Sequence, residues 1–180
     1  MTMKFACIIT SLLTLNINAQ AADPLSALTA IERAVHATSI VDIITKAAAH
    51  GAEINSLKNV PRLKVVSDCG DCRLSNATRM LMISAYDDLA KANDVTVNQD
   101  QPVIFKITSI TSRNSVLRGT FGVLNGADVI RGHFEGDTNT IGEYSISHEM
   151  GIDEITQSLG DDLLKIMVSK NAGIISEPLK

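Results

Sequence analysis

Apolar residues near the C-terminus recur in steps of three and four: Ile152, Ile155, Leu159, Leu163, Ile166 and Met167. That is the period of a helix with one buried face. Asp153 and Glu154 stand in its first turn and Lys165 and Lys170 toward its end, each charge where the helix dipole favours it. Leu74, Ala77, Leu81, Ala85 and Leu89 predict another helix, from about Leu74 to Ala92, with that stripe buried. Asp23-Pro24 is a helix start, a capping acceptor followed by proline in the first turn, and Leu25, Leu28, Ile31 and Val35 follow at helical spacing. Ile40, Val41, Ile44, Ala47 and Ala48 continue the stripe past a break near Thr38-Ser39 and stop at His50-Gly51. One long helix and two short ones both fit this region. "AEINSLKNVP" reads as a linker.

Elsewhere the period shortens to two. "RLKVVS" is a short strand, "VTVN" a brief one, and "QPVIFKITSIT" a stronger one, with Val103, Phe105 and Ile107 alternating against Ile104, Lys106 and Thr108. Pro102 suits a strand's first residue. In "SVLRGTFGVLNGADVIRGHFEG", Asn125-Gly126 is the favoured pair for a two-residue hairpin turn. Closing the hairpin there sets Phe121 opposite Ile130 and Leu117 opposite Phe134 on an apolar face. Arg118, Thr120, Arg131 and His133 share the other face, and Asp128 belongs to the exposed tip. Gly119 and Gly132 fall opposite each other on the apolar face, a gap into which a helix or large side chain packs. "TIGEYSISHEM" is a last strand carrying Ile141, Tyr144 and Ile146, and "NAGIISEPLK" a loose tail.

The order helix, strand, helix, meander, helix predicts a two-layer α+β domain. It has a mostly antiparallel sheet of about four to five strands, with helices packed on one face. The chain divides into a signal peptide (1–21), an N-terminal helical segment and linker (22–60), the α+β domain (61–170) and a tail (171–180).

The signal peptide follows from Lys4, the apolar run "FACIITSLLTLNI" and small residues at Ala19 and Ala21, a pattern that places cleavage after Ala21. The run is short for a membrane span, which takes about 20 apolar residues. The expected compartment is the bacterial periplasm or the exterior, with no transmembrane anchor left after cleavage. The formal net charge of −4 supplies no basic patch for nucleic acid, and tryptophan is absent, so stacking platforms for bases or sugars are poorly provided.

Cleavage removes Cys7 and leaves Cys69 and Cys72, which an oxidising compartment pairs. A disulfide there is a local staple of the strand-to-helix turn. The alternative is a dithiol-disulfide exchange centre, because a helix N-terminus favours a thiolate. "CGDC" between a strand and a helix resembles the thioredoxin-family active site in outline, which implies thiol-disulfide oxidoreductase activity. Asp71 between the thiols opposes a thiolate, and no aromatic precedes Cys69, so the staple is favoured. A zinc site would need two further ligands, and His36, His50, His133 and His148 stand at no helpful spacing. No cofactor is expected. His148-Glu149 has no third group to complete an acid-base site. Asp87-Asp88 and Asp161-Asp162 read as solvated helix faces, and the Asn76-Ala77-Thr78 acceptor triplet falls inside a predicted helix. The hairpin's outward basic face, with Arg118, Arg131 and His133, is the candidate partner contact.

"RLKVVS", "YDDLAKANDVTV", "FGVLNGADV" and "IDEITQSLGDDLLKIM" follow one another in an order similar to that of small bacterial envelope domains. The resemblance is to the curli-secretion subunit's periplasmic domain and to the protein activators of penicillin-binding proteins. It spans most of the mature chain, although the lipid-acceptor cysteine common in that group is absent. It implies a non-catalytic accessory or assembly subunit whose partner is another envelope protein.

Overall fold

Ser39 ends the predicted break and begins the first helix, α1 (Ile40–Ala49): its hydroxyl accepts the Asp42 N–H at 3.1 Å. The computed structural model describes residues 39–70, 72, 74–113, 127–145 and 151–173. The expected signal peptide, the Leu25–Val35 stripe, Arg118 with the rest of the hairpin's first strand and its Asn125-Gly126 turn, Ile146, His148-Glu149 and the tail beyond 173 lie outside these residues. Past α1, Gly51 takes a φ of +90°, the left-handed residue expected there.

The stretch expected as a linker is held by the core instead. It forms a short helix, α2 (Ile54–Leu57), because Leu57 is fully buried. Strand β1 (Asn59–Ser67) then starts earlier than the predicted Arg62. Helix α3 (Asn76–Ala92) follows, capped by Ser75, and leads to β2 (Thr96–Thr111), β3 (Asp128–Phe134), β4 (Ile141–Ser145) and α4 (Ile152–Asn171). The four strands lie in the order β1-β2-β3-β4. β1 and β2 are parallel, which requires a crossover, and α3 supplies it; the other two pairings are antiparallel. The fold is the predicted α+β class, with α3 and α4 on one face of the sheet.

Two expectations about strand pairing change. "VTVN" and "QPVIFKITSIT" are one strand, whose irregularity sets Pro61 beside Asn98 but Arg62 beside Pro102. Pro102 thus sits at the offset, where a missing N–H interrupts no regular ladder. The predicted hairpin register is replaced as well. Ile130 stands opposite Ile110 on one side and Glu143 on the other, and Phe134 stands opposite Phe105, so both edges of β3 are occupied by β2 and β4. The face assignment within β3 holds: Ile130, Gly132 and Phe134 are buried, while Val129, Arg131 and His133 alternate outward. A Cβ at Gly132 would meet the Phe105 ring at 2.7 Å, so the large side chain expected over this glycine is Phe105. Phe105 and Phe134 meet edge to face at 5.4 Å between centroids.

On α3 the buried line is Met82, Tyr86 and Ala90, one position round from the predicted Leu81, Ala85 and Leu89, which are half-buried. The apolar stripe is broad, and its centre is chosen by α4. Gly160 of α4 lies against the Met82 carbonyl oxygen, where a Cβ would collide, and that Cβ would also stand 2.9 Å from Ala85 Cβ. The buried Tyr86 ring sends its hydroxyl to the Pro61 carbonyl at 2.8 Å, and burial, with Asp87 alongside, pushes its pKa up.

Helix α4 buries more than its predicted stripe. Thr156, Leu164, Val168 and Ser169 are buried too, since the helix touches α1, α2, α3 and the sheet. Asp162, expected in solvent, is buried and accepts Lys165 Nζ at 3.0 Å. At the helix end, Lys170 bonds Asp137 in the β3–β4 turn at 3.0 Å and lies 4.9 Å from the centre of the Phe134 ring. Burial alone would raise the Asp137 pKa. The Asn139 and Thr138 amides and the Lys170 ammonium outweigh it, and the carboxyl ends below its ordinary value.

Two outcomes follow from this packing. Gly160→Val forces α3 and α4 apart, and urea denaturation should record a loss of about 1–3 kcal/mol, the usual cost of overpacking. Because the Asp137 pKa is depressed on folding, its contribution is present above the ordinary value of 3.8 and is lost as pH falls through the lower folded value. Lys170→Met should therefore flatten the acid limb of a stability-against-pH curve below about pH 4, where the native carboxylate protonates.

Candidate binding surface and cysteine turn

β1 ends at Ser67, and the turn that follows brings Cys69 and Cys72 together. Their Cα atoms are 5.4 Å apart, within the range that a disulfide spans, and their sulfur atoms are within bonding distance. Ser67 Oγ lies 3.4 Å from Cys69 Sγ and 3.8 Å from Cys72 Sγ. Neither cysteine is in the first turn of α3. That helix begins at Asn76 behind its Ser75 cap, whose hydroxyl accepts the Thr78 N–H at 3.0 Å. A thiol gains little from a helix terminus that lies beyond its own turn, because the field falls off within the first turn. Half-buried Cys72 and Leu74 pack against the core instead, so the turn is tied to the hydrophobic interior.

The sheet face opposite the helices carries the other candidate. Lys106 on β2 is paired with His133 on β3, and Arg131 lies between Ser109 and Gly142 on its flanking strands. Gly142 leaves room for the Arg131 stem: a Cβ there would come within 2.8 Å of Arg131 Cγ. Lys106 is tied to Glu135 at 2.9 Å, and the hydrogen bond and charge of that carboxylate raise the lysine pKa. Arg131 and His133 form no ion pair among the described residues, and Tyr144 adds an exposed ring at the β4 edge. The structure thus brings Arg131 and His133 onto one outer face, as expected, while Arg118 lies outside the described residues.

One charged site was not legible in the sequence. Asp128, expected at an exposed turn tip, is fully buried at the start of β3. Arg113, just past the end of β2, gives it three hydrogen bonds: from the backbone N–H at 2.7 Å, from Nε at 3.0 Å and from Nη2 at 2.9 Å. Burial of both partners makes this pair a clamp across the base of the segment between β2 and β3. A single arginine between polar neighbours has no periodic signal, and its partner is 15 residues away.

Chemistry of other kinds finds little support among the described residues. They contain no group of three or more His, Cys, Asp or Glu residues arranged to hold a metal ion. His50 caps α1 by bonding the Lys46 carbonyl oxygen at 2.8 Å. Asp87 and Asp88 are exposed, as expected, and burial and the charge of Asp88 raise the Asp87 pKa. No helix among the described residues is long and apolar enough to cross a membrane. No family model matches the chain, and no curated protein or solved structure does.

Asp128→Ala would leave the Arg113 guanidinium buried without its main counter-charge. Chemical denaturation should show a loss of about 3–5 kcal/mol, as when one member of a buried pair is removed. A double-mutant cycle with Arg113→Met should give a clearly non-additive result.

Proposed function

We propose that this chain is an exported, non-catalytic accessory domain of the bacterial cell envelope. It docks another envelope protein through the outer face of its sheet, and Cys69 and Cys72 form a structural disulfide. The observation that carries the reading is the outward pair Arg131 and His133, set on the sheet with no acidic partner among the described residues. Such charges contribute little to folding and are available to a partner of opposite sign. Export rests on the N-terminal pattern of Lys4, the apolar run and the Ala19/Ala21 cleavage signal. The disulfide rests on the closeness of the two thiols and on their position outside the first turn of α3. A small disulfide loop stiffens the passage from β1 to α3 by restricting the unfolded chain.

Arg131→Glu tests the docking face. The melting temperature should stay nearly constant, while capture of the envelope partner by the purified domain, salt-sensitive in the wild type, should disappear. A folded Arg131→Glu/His133→Glu variant with undiminished capture would remove this face from consideration. Mass spectrometry of protein from the periplasm should find an N-terminus near Ala22. The reduction potential of the cysteine pair decides between staple and enzyme: a structural bond lies below about −300 mV, whereas oxidoreductases lie higher. Insulin reduction that depends on Cys69 would establish the oxidoreductase in place of the accessory domain.

A further inference from the structure

The second surface lies at the opposite edge of the architecture, along β1. β1 is an edge strand: β2 pairs with one side of it and no strand among the described residues pairs with the other. Asp68 N–H bonds Ile107 O of β2. Successive residues of a strand turn their backbone polar groups to alternate sides, so Lys64 and Val66 also face β2, and Leu63, Val65 and Ser67 face the open edge. Among the described residues no strand pairs with the N–H and C=O groups of these three residues. Beside it, between β1 and α3, runs a groove of about 510 Å³. Ile83 and Arg79, one turn apart on α3, form its helical wall, and Leu63 and Val65 its apolar floor.

Positive charge flanks this edge on both faces. Arg62 and Lys64 alternate with Leu63 and Val65 and so project onto the outer face, where they are exposed, and neither is in an ion pair among the described residues. Arg79 spends Nη1 on Asn76 Oδ1 at 3.0 Å, yet its Nε is buried with no hydrogen-bond partner. A buried donor without an acceptor is costly, so the helical wall of the groove also has an open hydrogen-bonding position.

We propose that this edge binds an extended acidic segment of another protein by strand addition. The segment hydrogen-bonds to Leu63, Val65 and Ser67, places alternate apolar side chains toward Ile83 on the helical face, and sets the intervening carboxylates beside Arg62 and Lys64 on the outer face. Strand addition draws its affinity from main-chain bonds and its specificity from alternate side chains. Charge argues against a second copy of this chain, because antiparallel β1–β1 pairing would set the Arg62 and Lys64 rows against each other. Arg62 and Lys64 share the outer face with Arg131 and His133 but stand two strands away, across β2, and the open backbone groups belong to β1, so the two surfaces are tested by different variants.

The test uses the full chain and a short synthetic peptide of alternating valine and glutamate, titrated by fluorescence anisotropy. Binding should weaken steeply with salt. Hydrogen exchange at the Leu63, Val65 and Ser67 amides should slow on saturation. Lys64→Glu and Arg62→Glu should each weaken binding about tenfold or more, as loss of a charge-assisted bond does. Lys64→Glu should leave the melting temperature unchanged, and Arg131→Glu should leave binding unchanged. N-methylation of alternate peptide amides should abolish binding. Equal affinity for a valine-lysine peptide, or binding without protection of those three amides, would overturn the proposal. So would binding that appears only after removal of residues 174–180, which would make the chain's own tail the occupant, or a dimer that Lys64→Glu strengthens.

Discussion

The close approach of α3 and α4 at Gly160 sets the geometry on which the remaining structure depends. With no side chain at that position, the Met82 carbonyl and Ala85 come into direct contact with the α4 backbone. Two helices packed this tightly present one continuous apolar surface to the sheet. Met82 and Tyr86 from α3 join Ile155, Leu159 and Leu163 from α4 over Val65, Phe105, Ile130 and Phe134. The same contact chooses which line of α3 faces inward. It thereby places Arg79 and Ile83 along the β1 edge and directs the Tyr86 hydroxyl to Pro61.

The helices cover one face of the sheet and leave the other to polar and charged side chains. On that face, Lys106 is engaged by Glu135, whereas Arg131 and His133 are not engaged by any acid among the described residues. At the far end of β2 and β3, the buried Arg113–Asp128 pair holds the strand ends together. The cysteine turn stands at the passage from β1 into α3, with Cys72 and Leu74 packed against the core. Both features lie toward the C-terminal end of β2, and aromatic packing of Phe105 and Phe134 holds the middle of the sheet. Among the described residues the fold thus leaves two features open: the outer face around Arg131 and His133, and the β1 edge, which no strand covers.

Sequence alone determined what depends on short-range periodicity and backbone chemistry. The α4 stripe, the left-handed Gly51 and the in-out alternation of β3 each arise from residues within a turn or two of one another, so the order of residues is enough to reveal them. The same holds for the α+β class and the proximity of Cys69 and Cys72. Tertiary structure alone decided the pairing partners. β3 has β2 and β4 on its two sides, and a strand that displays good alternation is compatible with several neighbours until the sheet closes. The Arg113–Asp128 pair, the burial of Asp162 and of Leu57, and the rotation of α3 by one residue all result from contacts between distant segments. So does the open edge of β1, because a strand is an edge only by virtue of where every other strand has gone.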